Sequence, residues 1–145
     1  MKKTLSDAHL HAWKSLLNAH ATAVGGIEAK LSEHEQISLT WYDVLWSLRK
    51  NENGRLRFRA LQDEVVLSRS ALSRVVDALA KEGLVKKKPC ADDQRGLDVE
   101  LTDKGRKALA ASWPIYSEGI ADFFAKNLSP DDCAKLTEIL GKVVG

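Results

Sequence analysis

The chain has 145 residues, 44% hydrophobic and 29% charged, a globular composition that excludes intrinsic disorder and has room for one domain with flanking helices. Its two cysteines, Cys90 and Cys133, are too few for a disulfide framework and suit a reducing compartment. The formal net charge of +2 does not by itself point to nucleic acid, and no apolar run is long enough for a signal peptide or membrane span, so a cytoplasmic protein without a membrane partner is expected.

The first segment, roughly Ser6 to Glu33, is predicted as a long helix. Leu10, Trp13, Leu17, His20, Val24, Ile27 and Leu31 recur at alternating steps of three and four and share one stripe. A heptad-like seam of this kind often packs against a second chain. Gly25 and Gly26 weaken its last third and predict a bend. Thr40 with Asp43 forms a capping-box-like pair before Trp41, Val44, Leu45 and Leu48, predicting a short helix over about Trp41 to Lys50. Asn51 to Gly54 end it in a turn, and Arg55, Leu56 and Arg57 suffice only for a stub of strand.

Phe58, Leu61 and Val65 then fall at helical spacing, and Val66 to Ser68 break the pattern. Ser68 caps a second helix whose apolar face is Leu72, Val75, Val76 and Leu79, running to Glu82. Gly83 stands where a left-handed residue closes a helix. The periodicity then changes. Val85 to Cys90 is extended and basic, Ala91 to Gly96 is turn-rich, and Leu97, Val99 and Leu101 alternate with Asp98 and Glu100. This is a two-stranded β-hairpin with a polar tip.

Thr102 caps another long helix, to about Asn127, with Leu109, Trp113, Tyr116, Ile120, Phe123 and Phe124 along one face and a kink expected at Pro114. Ser129 caps the last helix, where Pro130 fits the first position and Asp131 and Asp132 suit the positive end of the dipole. Cys133, Leu136, Leu140 and Val143 form its stripe, which makes Cys133 an inert core residue.

The order helix, helix, turn, helix, hairpin describes a winged helix-turn-helix, a mainly α fold with a small β-hairpin wing. The charge follows this organisation. Between Arg49 and Arg106 there are 14 basic and 10 acidic residues, while the flanks together hold 8 and 10. Arg69, Ser70, Ser73 and Arg74 stand on the outward face of the second helix of the pair, near its N-terminus, where a major-groove helix reaches base edges. Arg95 at the wing tip suits a narrow minor groove, with Asp93 placed to hold it; a plain Asp–Arg turn pair is the competing reading. Strand alternation puts Lys86 and Lys88 on one face and Lys87 on the other, so the three do not all meet phosphate.

The run LSRSALSRVVDALAKEGLV (Leu67 to Val85), then DDQRG (Asp92 to Gly96) and VELTDKG (Val99 to Gly105), resembles the MarR family of bacterial transcription regulators. SLTWYDVLWSL (Ser38 to Leu48) resembles the family's second helix, and the long terminal helices resemble its dimerisation domain. The resemblance implies an N-terminal dimerisation helix over 1–36, a DNA-binding region over 37–105 and C-terminal dimerisation helices over 106–145. It implies a homodimer on a pseudo-palindromic duplex, repressing by promoter occupancy until a ligand or oxidant releases it. Its DNA contacts carry over to Arg69, Ser70, Ser73, Arg74 and Arg95. Asp98 departs from the uncharged residue expected at its position, and places a carboxylate near the wing.

A small aromatic effector would suit a crevice framed by His9, Trp13, His20, Trp41, Tyr42, Trp113 and Tyr116, although aromatics at such spacing also serve as core and dimer packing. His20 on the apolar seam reads more simply as a hydrogen-bonded core histidine. A thiol-based redox regulator is an alternative, resting on Cys90 after three lysines if that thiol is exposed. A winged-helix protein-interaction module is another. No metal site or cofactor is expected: His9 and His11 lack a third ligand of clear spacing. No enzyme is expected either, for want of a phosphate-binding glycine loop, a nucleophile elbow or a paired His–Glu helix.

Overall fold

The structure is a computed structural model that describes residues 4–90 and 93–145; of Asp93, Gln94 and Arg95 it describes the backbone alone. The described elements are α1 (Asp7–Glu33), α2 (Leu39–Arg49), β1 (Arg55–Arg57), α3 (Phe58–Glu64), α4 (Arg69–Lys81), β2 (Val85–Cys90), β3 (Asp93–Leu101), α5 (Asp103–Ile120) and α6 (Pro130–Val144). The winged helix-turn-helix is thus present in the order expected. Two compact units are formed, one by Leu31–Pro114, the other by the residues up to Lys30 together with Ile115–Gly145.

The unit over Leu31–Pro114 contains the winged fold. Its core is aliphatic: Val44, Leu45 and Leu48 of α2, Leu61 of α3, Leu72, Val76 and Leu79 of α4, and Val99 of β3 are at most 1% exposed. The period-four and period-two apolar patterns therefore converge on one interior. β1 adds to the hairpin as a third antiparallel strand, in the order β1-β3-β2, with Leu56 opposite Val99 and Lys87 opposite the same residue from the other side. The expected turn over 91–96 is shorter than its composition suggests, because β3 begins at Asp93 and pairs it with Cys90 across a register irregularity at Pro89/Cys90. Ala91 and Asp92 lie outside the described residues.

Caps define the helix boundaries. α2 starts at Ser38, not at Thr40: Ser38 is extended and its hydroxyl accepts from the Trp41 amide at 3.2 Å, whereas Thr40 lies inside the helix. Ser68 caps α4 in the same way, accepting from the Ala71 amide at 3.1 Å. α4 ends in a Schellman arrangement. Gly83 takes φ +77°, its amide donates to the Ala80 carbonyl, and the Leu84 amide donates to the Leu79 carbonyl. Buried Leu84 then leads straight into β2, so the cap aims the wing. Thr102 joins the two ends of the hairpin: its hydroxyl donates to the Gly83 carbonyl and accepts from the Gly105 amide that opens α5.

The other unit is built differently. α1 runs uninterrupted through Gly25 and Gly26, and Gly26 lies under the Phe123 ring, where a Cβ would collide. α5 passes into a π-helical stretch at Ala121–Ala125, a change that the sequence pattern does not signal. Ser129 and Asp132 form a reciprocal capping box for α6, with Pro130 at its start. Lys30 pairs with Glu118 at 3.0 Å and Asp122 at 3.4 Å. Yet few apolar side chains here are covered. Leu10, Trp13, Leu17, Phe123, Phe124, Ile139 and Val143 are all exposed. Cys133 is exposed as well, and His20 is exposed instead of forming part of a core.

Candidate nucleic-acid interface

Helix α4 presents three stripes. Leu72, Val76 and Leu79 are buried against the core. Arg69 and Ser73, four residues apart, form a second stripe, and Ser70, Arg74 and Asp77 form a third; all five are exposed. The four residues picked from the sequence on this helix, Arg69, Ser70, Ser73 and Arg74, are therefore exposed together, but on two different edges. Asp77 is already engaged, because Lys87 Nζ donates to its Oδ1 at 2.6 Å and ties the helix to the wing.

The wing divides its cations. Lys87 serves Asp77, and Lys88 Nζ donates to Glu100 Oε2 at 3.0 Å, with Arg55 at 3.6 Å from the same oxygen. The Lys88 hydrogen bond, followed by the charges of Lys88, Arg55 and Lys86, holds the Glu100 carboxyl below its ordinary range. Lys86 is exposed and forms no direct salt bridge among the described residues. Cys90 is buried, and its Sγ–H donates to Asp98 Oδ1 at 3.1 Å. The unexpected carboxylate at 98 thus has an internal partner, and the thiol is not the exposed group that redox sensing calls for. The side chains of Asp93 and Arg95 lie outside the described residues.

A cleft of about 540 Å³ opens between the two helices and the wing. Arg57 at the end of β1, Arg59 in α3 and Arg69 at the start of α4 line it, with Gln62, Ser73 and Gly96. Arg57 and Arg59 were not singled out from the sequence. The signal was there as Arg-x-Arg-x-Arg over residues 55–59, but a three-residue strand entering a seven-residue helix gives no periodicity from which to read their common direction.

Of the aromatic set, Tyr42 and Trp113 come together, with ring centroids 6.4 Å apart and planes inclined by 30°. Tyr42 is buried and Trp113 half exposed, while Trp41 is partly buried. His9, Trp13, His20 and Tyr116 belong to the other unit, where the first three are exposed and His9 Nδ1 lies 2.7 Å from Ser6 Oγ. Among the described residues no group of three or more His, Cys, Asp or Glu side chains is placed to hold a metal ion, and no helix is long and apolar enough to cross a membrane.

Comparison with known proteins agrees with this architecture. The sequence model of the MarR family matches residues 37–97, from the loop before α2 into the wing. The multiple antibiotic resistance protein MarR of Escherichia coli K12 is 32% identical over 74 residues, 51% of either chain. The transcriptional repressor MprA of the same organism is 28% identical over 85 residues, 59% of this chain and 48% of that protein, so the chain spans about half the length of these curated relatives. The crystal structure of Sco3205, a MarR family transcriptional regulator from Streptomyces coelicolor in complex with DNA, superposes with a TM-score of 0.91 at 26% identity, covering 99% of this chain and 90% of that one. Through its matched 37–97 segment and its winged helix-turn-helix, the chain is similar to MarR family regulators.

Proposed function

We propose that the protein is a homodimeric, sequence-specific DNA-binding transcriptional regulator that represses by covering a promoter. The observation that carries this reading is helix α4, which buries one stripe and holds Ser70 and Arg74 outward beside a salt-bridged wing. A helix fits the major groove with its N-terminal side chains at base edges, and an arginine there grips guanine O6 and N7 with two hydrogen bonds. Arg69, Ser70, Ser73 and Arg74 enter the major groove, Lys86 meets phosphate, and Arg95, steadied by Asp93, probes the minor groove. The DNA-bound state of the Streptomyces neighbour and the repressor named MprA support this assignment.

The dimer is supported by the unit formed up to Lys30 and from Ile115. It exposes Leu10, Trp13 and Leu17 on α1 and Ile139 and Val143 on α6, apolar surface that a second copy would cover. Two winged units on one duplex then require half-sites about one helical turn apart. Release by a small aromatic ligand is supported by the Tyr42–Trp113 pair, whose half-exposed indole offers a stacking face.

Selection of bound sites from random duplexes tests the reading. The expected product is a pseudo-palindrome whose binding weakens steeply as salt rises. Arg74→Ala and Arg95→Ala are each expected to cost about 1–3 kcal/mol on that duplex. No affinity for any duplex at low salt would sink the proposal.

A further inference from the structure

The cleft walled by Arg57, Arg59 and Arg69 separates two tasks on helix α4. Three guanidinium groups from three elements face one concavity, and among the described residues neither Arg59 nor Arg69 has a salt-bridge partner. The like charges of Arg59 and Arg69, gathered this way, repel one another until an anion joins them. The planar fork of arginine matches the oxygens of a phosphate, and the hydroxyl of Ser73 and the amide of Gln62 add neutral donors to the same wall. Phe58 and Leu97 supply the apolar part of the lining beside these polar groups.

The stripes of α4 sharpen this. Arg69 and Ser73 both line the cleft, whereas Ser70 and Arg74 stand on the next edge of the helix. Asp77, the third residue of that edge, is neutralised by Lys87. We propose that the cleft seats one phosphate of the DNA backbone between Arg57, Arg59 and Arg69. Arg69 is then a positioning residue, and Ser70 and Arg74 read the bases. This rests on the DNA-binding reading above, and it moves Arg69 and Ser73 from base recognition to backbone recognition. Phosphate contacts fix register and orientation without carrying sequence information.

The test compares the full-length protein with its Arg59→Gln, Arg69→Gln and Arg74→Gln variants. Each is titrated by fluorescence anisotropy against the selected palindromic duplex and a scrambled duplex of equal composition. Circular dichroism melting confirms that each variant is folded. Arg59→Gln and Arg69→Gln are expected to weaken both duplexes alike, by roughly tenfold, and to flatten the salt slope by about one each. Arg69→Lys, which keeps the charge, restores the slope. Arg74→Gln weakens the selected duplex alone. Methylphosphonate linkages then locate the contact: one neutral linkage per half-site weakens the wild type, and costs Arg69→Gln nothing further. If Arg69→Gln weakens only the selected duplex, Arg69 reads bases and the proposal is overturned. It is equally overturned if the wild type binds both duplexes and neither cleft variant changes that. If the wild type binds neither duplex, the DNA-binding reading itself falls, an outcome distinct from both.

Discussion

At the scale of single residues, contacts decide which side chains are available for chemistry. Cys90 follows three lysines and on sequence grounds suits a reactive thiol, yet it is buried and donates to Asp98. In a Cys133→Ser variant, Ellman's reagent is therefore expected to label Cys90 only after denaturant is added; rapid labelling of the native protein would restore the redox alternative. Gly105 is a second case. A Cβ there would strike the carbonyl oxygen of Leu84, which accepts from the Thr102 amide at the base of the wing. Gly105→Ala must push the Leu84 backbone at the entry to β2 aside, and is expected to destabilise the protein by about 1–3 kcal/mol in urea titrations. Glu100 makes a third. Its carboxyl is held low by the Lys88 hydrogen bond, so its pKa is lower folded than unfolded. Its contribution is present above the ordinary carboxylate value and is lost as pH falls through the folded value. The melting difference between wild type and Glu100→Gln should thus be larger at neutral pH than in acid.

At the scale of elements, local pattern is a good guide wherever the element is long or capped by its own residues. The stripes of α1 and α4, the Ser68 and Ser129 caps and the closure at Gly83 were all legible, because each depends on neighbours within about four residues. Ser68→Ala is expected to cost about 1 kcal/mol of thermal stability, measurable by calorimetry. Legibility fails where two candidates compete or where pairing is not local. Ser38 and Thr40 both suit an N-cap, and extended backbone at Ser38 decides between them. Gln94, Arg95 and Gly96 have turn composition but lie in β3, as the irregularity between the Pro89–Leu97 and Cys90–Asp93 pairs. The π-helical stretch at Ala121–Ala125 leaves no trace in the pattern at all.

At the scale of the whole molecule, the apolar stripes of α1 and α6 set the oligomeric expectation. Their side chains recur at core spacing, but this single chain leaves Leu17, Ile139 and Val143 exposed. Analytical ultracentrifugation is expected to find a dimer, and Leu17→Glu with Ile139→Glu to shift it toward monomer and lower its affinity for the palindrome. A monomeric wild type would remove the reason for a two-half-site duplex. The modest net charge of +2 takes on its meaning here, since the basic excess lies in the segment that builds the winged unit.

Local sequence pattern specifies the order of elements, the winged helix-turn-helix and the outward face of α4, because apolar periodicity and capping are local and the core must follow them. It also carried the family resemblance, through the run from Leu67 to Gly105. The pairing of the charges, by contrast, is set by packing. Lys87 goes to Asp77, Lys88 to Glu100 and the Cys90 thiol to Asp98, while Arg57 and Arg59 join Arg69 around one cleft. Such pairings link residues 8 to 12 apart in the chain, across strands and turns whose direction no short-range pattern specifies. Coulomb energy depends on distance in space, and that distance exists only once the helices and the wing have packed.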